Sequence, residues 1–227
     1  MKAMTVATAQ SRPFAAAQLA VARAEQGEAV AVELEAPARP VLERLIDGGA
    51  LRRALLLIER DGQHARIAAR PRRAGGATTI TELFEEDHRR IDELAAELRK
   101  VAPKDAMRAI VLANLLTFGL RRHVRIEEAL VLPLHAARTR YAATSEFMRE
   151  EHKAILAYVD RLEREADALR LASRRDATVS RLLDAEAGLA AILADHNVKE
   201  EKHLFPLLDH TTPRAAREPL LRQIVIY

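Results

Sequence analysis

The chain reads HVRIEE at residues 123–128 and HNVKEE at residues 196–201, and a proline lies ten residues after each histidine. On an α-helix, a histidine and a glutamate four positions later project from the same face, one turn apart. Two such pairs that face each other would place two imidazoles and two carboxylates around one point. The repeated pattern therefore predicts a cage for a pair of metal ions inside a helical protein.

The repeat extends upstream of both segments. His88 lies in the sequence EEDHRRI, and His152 lies in the sequence EEHKAI. Each of these histidines precedes one His-x-x-x-Glu segment by the length of a helix and a turn. The order of histidine, His-x-x-x-Glu, histidine, His-x-x-x-Glu predicts four helices that are related by an internal two-fold repeat.

Hydrophobic periodicity after residue 79 predicts the same four helices, because apolar residues recur in steps of three and four. The expected helices are one over residues 81–100 with Thr81 as its N-cap, one after Pro103, one beginning near Thr144 and one that includes Leu182–His203. Their arrangement as an antiparallel, up-down four-helix bundle is what the family resemblance described below implies.

Six residues on the apolar faces of these helices are the candidate metal ligands: His88, His123, Glu127, His152, His196 and Glu200. Buried polar groups cost free energy unless they are paired or bind a metal. Imidazole and carboxylate groups together suit iron, manganese and zinc. Each of the two glutamates could bridge both ions of a pair.

The residues around these ligands leave alternatives open. Glu128 and Glu201 follow the histidines by five positions, so they turn off the ligand face and are either surface charges or groups that support the ligands from outside. His203 is compatible with a further ligand or with a solvated position. Pro133 and Pro206 are expected to end or kink their helices.

Three other histidines are not expected at the metal site. His135 and His210 lie beyond the two prolines, and we expect them at the surface. His64 belongs to the N-terminal part of the chain, where the pattern is not that of a bundle. We expect it to be unrelated to metal binding.

The N-terminal part has a different organisation. Alternating or short apolar runs predict strands at Val30–Leu34, Ala54–Ile58 and Ala65–Ala69, and prolines near helix starts predict helices at Pro13–Glu25 and Pro40–Asp47. The expected order is strand, helix, strand, helix, strand, strand. Residues 71–79 contain Pro and a Gly pair and predict a linker. We expect a small α+β domain over residues 1–72 and a helical domain over residues 79–227. The last stretch of the chain, Pro213–Tyr227, is expected to form a short helix and then an extended segment at residues 223–226.

The element order of the first 72 residues is similar to that of small sulfur-carrier domains. Those domains have a cysteine just before the first helix, whereas this chain has Gln10, Ser11 and Arg12 before Pro13. Sulfur transfer through a persulfide is excluded by that route. We expect the module to act by contact, for example with a protein partner.

Composition excludes further classes of function. The chain of 227 residues has no cysteine, which excludes disulfides, thiolate metal sites and cysteine nucleophiles. Arginines alternate with glutamates and the net charge is only +3, so no nucleic-acid surface is indicated. No apolar run is long enough to span a membrane. We expect a cytoplasmic protein, and the sequence leaves open whether it is a homodimer.

The ligand motifs resemble the hemerythrin-like, or HHE, domain over about residues 79–210. The resemblance rests on the four histidines and on both His-x-x-x-Glu segments with their following prolines. It implies an antiparallel four-helix bundle with a non-haem di-iron centre that is held by those four histidines and two bridging glutamates, with an oxo or hydroxo bridge. Oxygen-carrying hemerythrins have a second histidine four residues after the one on the third helix. Leu156 occupies that position here, which argues against five-histidine ligation and reversible oxygen storage.

Three functions follow as hypotheses. The first is a non-enzymatic iron protein that senses or binds dioxygen, nitric oxide or the redox or iron state. The second is a di-iron enzyme that acts on peroxide or nitric oxide, or an iron donor for iron–sulfur cluster repair. The third is an interaction bundle without metal. Because the sequence shows no general acid beyond the ligands, the first hypothesis is the one we prefer.

Overall fold

A computed structural model describes residues 5–9, 13–34, 37–60, 65–72, 78–139, 142–172 and 175–227. The predictions about Gln10, Ser11 and Arg12, about His64 and about the Gly75–Gly76 linker lie outside the described residues. Contacts divide the chain into two compact units, residues 1–86 with 212–227 and residues 87–211. Separate folding of residues 1–72 and 79–227 stays a prediction.

Within the described residues, the elements follow one another as four strands among two helices, and then seven further helices. In chain order they are β1 (Thr5–Ala9), α1 (Pro13–Glu25), β2 (Val30–Leu34), α2 (Ala38–Asp47), β3 (Leu55–Arg60), β4 (Ala65–Arg70), α3 (Ile80–Val101), α4 (Ala106–Ile126), α5 (Leu132–Arg138), α6 (Ala142–Leu171), α7 (Arg175–Lys199), α8 (Phe205–Thr211) and α9 (Arg214–Ile226). Single π-helical turns at Glu127–Val131 and Glu200–Leu204 join α4 to α5 and α7 to α8.

The first unit is a four-stranded sheet with the strand order β1-β2-β4-β3. β1 and β2 are parallel because α1 carries the chain back between them, and the other two pairs are antiparallel. Buried apolar side chains of α1, α2, β3 and β4, such as Val21, Leu42, Leu56 and Ile67, form its core. The predicted α+β organisation is confirmed.

The C-terminal helix corrects two expectations. α9 is helical through Ile226, although residues 223–226 are expected to be extended. It contacts α2 and β3 and is therefore part of the first unit rather than of the helical one. Leu221, Ile224 and Val225 are buried at helical spacing, so the apolar run lies along one helix face and not along a strand.

The second unit is a four-helix bundle of α3, α4, α6 and α7, so the four helices that the repeat predicts and the bundle that the resemblance implies are confirmed. Its core is one apolar cluster to which all four helices contribute, with Leu98, Leu116, Leu162 and Leu182 fully buried. Each of the four helices contributes residues to this cluster, for example Ile91, Leu120, Ile155 and Leu189. Within the described residues, no helix combines the length and the apolar character that crossing a bilayer requires.

Two helix starts show how local chemistry sets the helix boundaries. Asp105 caps α4, because its carboxylate accepts the backbone N–H of Arg108 at 3.0 Å. The expected N-cap of the preceding helix at Thr81 is wrong. Thr79 Oγ1 accepts the backbone N–H of Glu82 at 3.0 Å, so the cap lies two residues earlier and α3 begins at Ile80.

Candidate metal centre

Each of the four bundle helices directs one histidine into the interior of the second unit. All six predicted ligands meet there, and none is more than 3% exposed: His88, His123, Glu127, His152, His196 and Glu200. Their ligand atoms form two clusters, each with all atoms within 4.8 Å of one another. One cluster joins Glu127, His152, His196 and Glu200, and the other joins His88, His123 and Glu200.

Glu127 lies between histidines of two different helices. Its Oε1 is 3.4 Å from Nε2 of His123, and its Oε2 is 3.1 Å from Nε2 of His152. The two oxygens of one carboxylate therefore face the two halves of the site.

Glu200 has the same relation to the remaining two histidines. Its Oε2 is 3.3 Å from Nε2 of His88, and its Oε1 is 3.1 Å from Nε2 of His196. The Nε2 atoms of His88 and His123 are 3.3 Å apart, which makes these two histidines one pair. Each glutamate thus offers one oxygen to the pair His88 and His123 and one to the pair His152 and His196.

Both glutamates are the first residue of a π-helical turn. The backbone N–H of Leu132 bonds to the carbonyl of Glu127, and the N–H of Phe205 bonds to that of Glu200, in place of the usual four-residue spacing. Prolines follow at the next position, where they lack an N–H and would clash with a regular turn. The expected interruption is therefore a widened turn, after which the helix continues.

Carboxylates also lie behind the histidines, against their second ring nitrogen. Asp87 Oδ2 is 3.0 Å from Nδ1 of His123, and Glu151 Oε2 is 3.0 Å from Nδ1 of His196. An ionised carboxylate only accepts hydrogen bonds, so Nδ1–H donates and Nε2 keeps its lone pair for the centre of the site. The carboxylates therefore fix the tautomer that a metal ligand needs.

Glu128 and Glu201 do the same for the other two histidines. Glu128 Oε1 is 3.2 Å from Nδ1 of His152, and Glu201 Oε1 is 2.8 Å from Nδ1 of His88. Of the two readings left open for these residues, support of the ligands fits the structure. The four contacts form a closed ring. α3 supports α4, the π-helical turn after α4 supports α6, α6 supports α7, and the π-helical turn after α7 supports α3.

Asp87 and Glu151 were missed by sequence reasoning. Both are adjacent in sequence to a ligand histidine, at the same position of the internal repeat. A carboxylate directly before His88 and directly before His152 is a signal that the repeat could have supplied. Periodicity did not reveal it, because the contact joins two helices and not two turns of one helix.

The central atoms fit a metal ion. Within the described residues, both carboxylate oxygens of Glu127 and of Glu200, and Nε2 of His152 and of His196, are buried without a hydrogen-bond partner. Buried charged and polar groups are normally paired or bound to a cation. Nitrogen and carboxylate oxygen ligands suit borderline first-row metals, so the donor set agrees with iron, manganese or zinc.

The pKa shifts of the metal-free chain also indicate that the site favours positive charge. Burial opposes a charged imidazole, yet Glu127 and Asp87 raise the pKa of His123 well above its ordinary value. His196 behaves alike, since Glu200 and Glu127 outweigh its burial and raise its pKa. Burial disfavours the charged form of Glu200, but the surrounding imidazoles hold its pKa well below the ordinary value. Without a metal, protons on the histidines supply the positive charge that the carboxylates need.

This coupling predicts how the stability of the metal-free protein depends on pH. His123 and His196 stabilise the fold below their ordinary pKa of 6.5, and this is lost as pH rises through their raised values. Glu200 stabilises it above its ordinary pKa of 4.5, and this is lost as pH falls through its lowered value. Denaturant unfolding of chelator-treated protein should show the greatest free energy of unfolding between pH 4.5 and pH 6.5, the ordinary pKa values of these groups, and a decline toward pH 9. His196→Gln should flatten the alkaline decline, whereas stability that rises from pH 6.5 to 9 would contradict the account.

The remaining histidines divide into two groups. His203 and His210 are exposed, and the structure does not bring His203 to either cluster of ligand atoms. The expectation that His135 is at the surface is wrong. Only 3% of it is exposed, its Nδ1 lies 3.1 Å from the hydroxyl of Ser145, and its burial lowers its pKa.

Comparison with known proteins agrees with the geometry of the site. A family model, the hemerythrin HHE cation-binding domain, matches residues 79–208. No curated protein and no solved structure matches the chain. The match covers more than half of the 227 residues, including all six central residues and all four carboxylates behind them. The chain belongs to the family of hemerythrin HHE cation-binding domains.

Proposed function

We propose that the protein binds two iron ions in a non-haem di-iron centre and uses them to bind or sense dioxygen, nitric oxide or the redox or iron state. His88 and His123 would hold one ion, and His152 and His196 would hold the other. Glu127 and Glu200 would bridge the two. The observation that supports this best is that each glutamate directs its two oxygens at two different histidine pairs.

The donor count supports binding of a small ligand. Two histidines and two carboxylate oxygens provide four ligands for each ion, which is fewer than the six positions of an octahedral iron site. When bound, a pair of iron ions would supply redox chemistry and open positions for a diatomic molecule or peroxide. The protein's own part is to hold the Nδ1–H of each imidazole against a carboxylate, so that Nε2 is directed at the centre, and to exclude water from the bridging carboxylates.

The first test is the metal content of the full chain after growth with ample iron. We expect about two iron ions per chain, because the site has two histidine pairs that share two carboxylates. A bridged ferric pair should also give charge-transfer absorption in the near ultraviolet. One tightly held zinc ion without iron would contradict the proposal.

Turnover assays separate binding from catalysis. If the protein is a sensor or binder, peroxide and nitric oxide should change the absorption spectrum once per site and should not be consumed further. Sustained consumption would favour the alternative, a di-iron enzyme. Transfer of its iron to an apo iron–sulfur protein would favour the iron donor.

A further inference from the structure

An arginine is buried inside the bundle directly beside the proposed centre. Arg90 lies on α3 and only 2% of it is exposed. Its Nε and Nη2 donate to Oδ1 of Asp87 at 3.0 Å and 2.9 Å. Oδ2 of the same carboxylate faces Nδ1 of His123 at 3.0 Å. Asp87 therefore gives one oxygen to the arginine and the other to the histidine.

The room for this guanidinium is provided by a glycine on the facing helix. A Cβ atom at Gly119 of α4 would lie 2.4 Å from Nη2 of Arg90 and 3.1 Å from its Nη1. Glycine weakens a helix interior, so its place in the middle of α4 needs a reason. Contact with Arg90 supplies a reason, because a Cβ at this position would require the guanidinium to shift.

The second half of the repeat has no such arrangement. The positions that correspond to Arg90 and Gly119 are Ala154 and Ile192, counted from His152 and His196. There the carboxylate of Glu151 pairs with Lys199, whose side chain is 32% exposed. The carboxylate behind His123 is thus held from inside the bundle, and the carboxylate behind His196 is held from its surface.

We propose that Gly119 and Arg90 are positioning residues of the metal centre, which act on it through Asp87 and His123. Arg90 fills the space over Gly119 and fixes the carboxylate of Asp87. The fixed carboxylate orients the imidazole of His123, so that Nε2 points at the centre before a metal arrives. This inference rests on the proposed role of His123 as a ligand, and neither Gly119 nor Arg90 contacts the metal.

Gly119→Ala tests the proposal, and Gly188→Ala is its matched control. A Cβ at Gly188 of α7 would lie 2.3 Å from Cε1 of Tyr158, so it makes a comparable overlap with a side chain in the same bundle. That overlap involves none of the residues that hold His123. Both substitutions exchange a glycine inside a helix for alanine, so their direct effects on helix stability match.

The first readout is metal retention by the full chain. Loss of a hydrogen-bond partner behind a metal-ligating histidine typically costs about 10–100-fold in metal affinity. Gly119→Ala should release iron to a competing chelator at least about tenfold faster than the wild type, and Gly188→Ala should release it at the wild-type rate. In an Arg90→Met background, Gly119→Ala should have no further effect. Equal release by the two glycine variants would overturn the proposal.

A second readout does not depend on metal. In the chelator-treated wild type, the Nδ1–H proton of His123 should give a slowly exchanging resonance in nitrogen-15 spectra of the imidazoles. Gly119→Ala should abolish that resonance, and Gly188→Ala should keep it. If the wild type takes up no iron, the proposed function fails, but this resonance still decides the role of Gly119. Its persistence in Gly119→Ala would refute that role.

Discussion

Glu200→Gln is expected to remove most of the bound metal from the full chain. Glutamine keeps the size of the side chain but has no negative charge, and its amide nitrogen is not a ligand. Glu200 is the residue common to both clusters of ligand atoms, so its loss affects both ions of the proposed pair. Loss of a residue that only hydrogen-bonds to a ligand typically lowers metal affinity about 10–100-fold. Glu200→Gln should lower the metal content per chain, measured after desalting, by more than such a loss would cause.

Glu201→Gln is the matched control. It makes the same chemical change one residue later, at the side chain that contacts Nδ1 of His88 rather than the centre. We expect it to weaken metal binding without abolishing it, and the pair Glu127→Gln and Glu128→Gln should divide in the same way. Equal loss of metal in both members of a pair would show that the bridging residues are assigned wrongly.

Helix periodicity was sufficient to identify the six central residues. A histidine and a glutamate four positions apart lie on one face in any regular helix, and the repeat supplied both halves of the site. The four helices also followed from the apolar residues that recur in steps of three and four, whereas their antiparallel arrangement was implied by the family resemblance. These features depend on spacing within one helix, which the sequence contains.

Features that depend on contacts between elements were not accessible in this way. Asp87 and Glu151 act on histidines of other helices, and the burial of His135 depends on Ser145 across a turn. The helix at the C-terminus contains the β-branched run Ile224–Ile226, which favours a strand locally. Packing against the first unit overrides that preference. Pro133 and Pro206 indicated that the helices are interrupted, but a proline alone does not distinguish a π-helical turn from the end of a helix.

Removal of the metal should lower the unfolding temperature of the full chain, measured by calorimetry at pH 8. A ligand at a thousand times its dissociation constant stabilises the folded state by about 4 kcal/mol. For a unit of this size that corresponds to a shift on the order of 10 °C. The shift should shrink toward pH 5.5, because the raised pKa values of His123 and His196 let protons compete with the metal there.

Glu127→Gln should affect stability differently in the metal-free and the metal-loaded protein. A merely structural role of the glutamate would give the same effect in both. In the metal-free protein at a pH above the raised pKa values of His123 and His196, the two buried carboxylates lack the positive charge of those imidazoles, so neutralising one of them should leave stability unchanged or raise it. In the metal-loaded protein the same substitution removes a ligand and should lower the unfolding temperature. Lower stability of Glu127→Gln in both states, by the same amount, would mean that the carboxylate is part of the core packing and does not bind a cation.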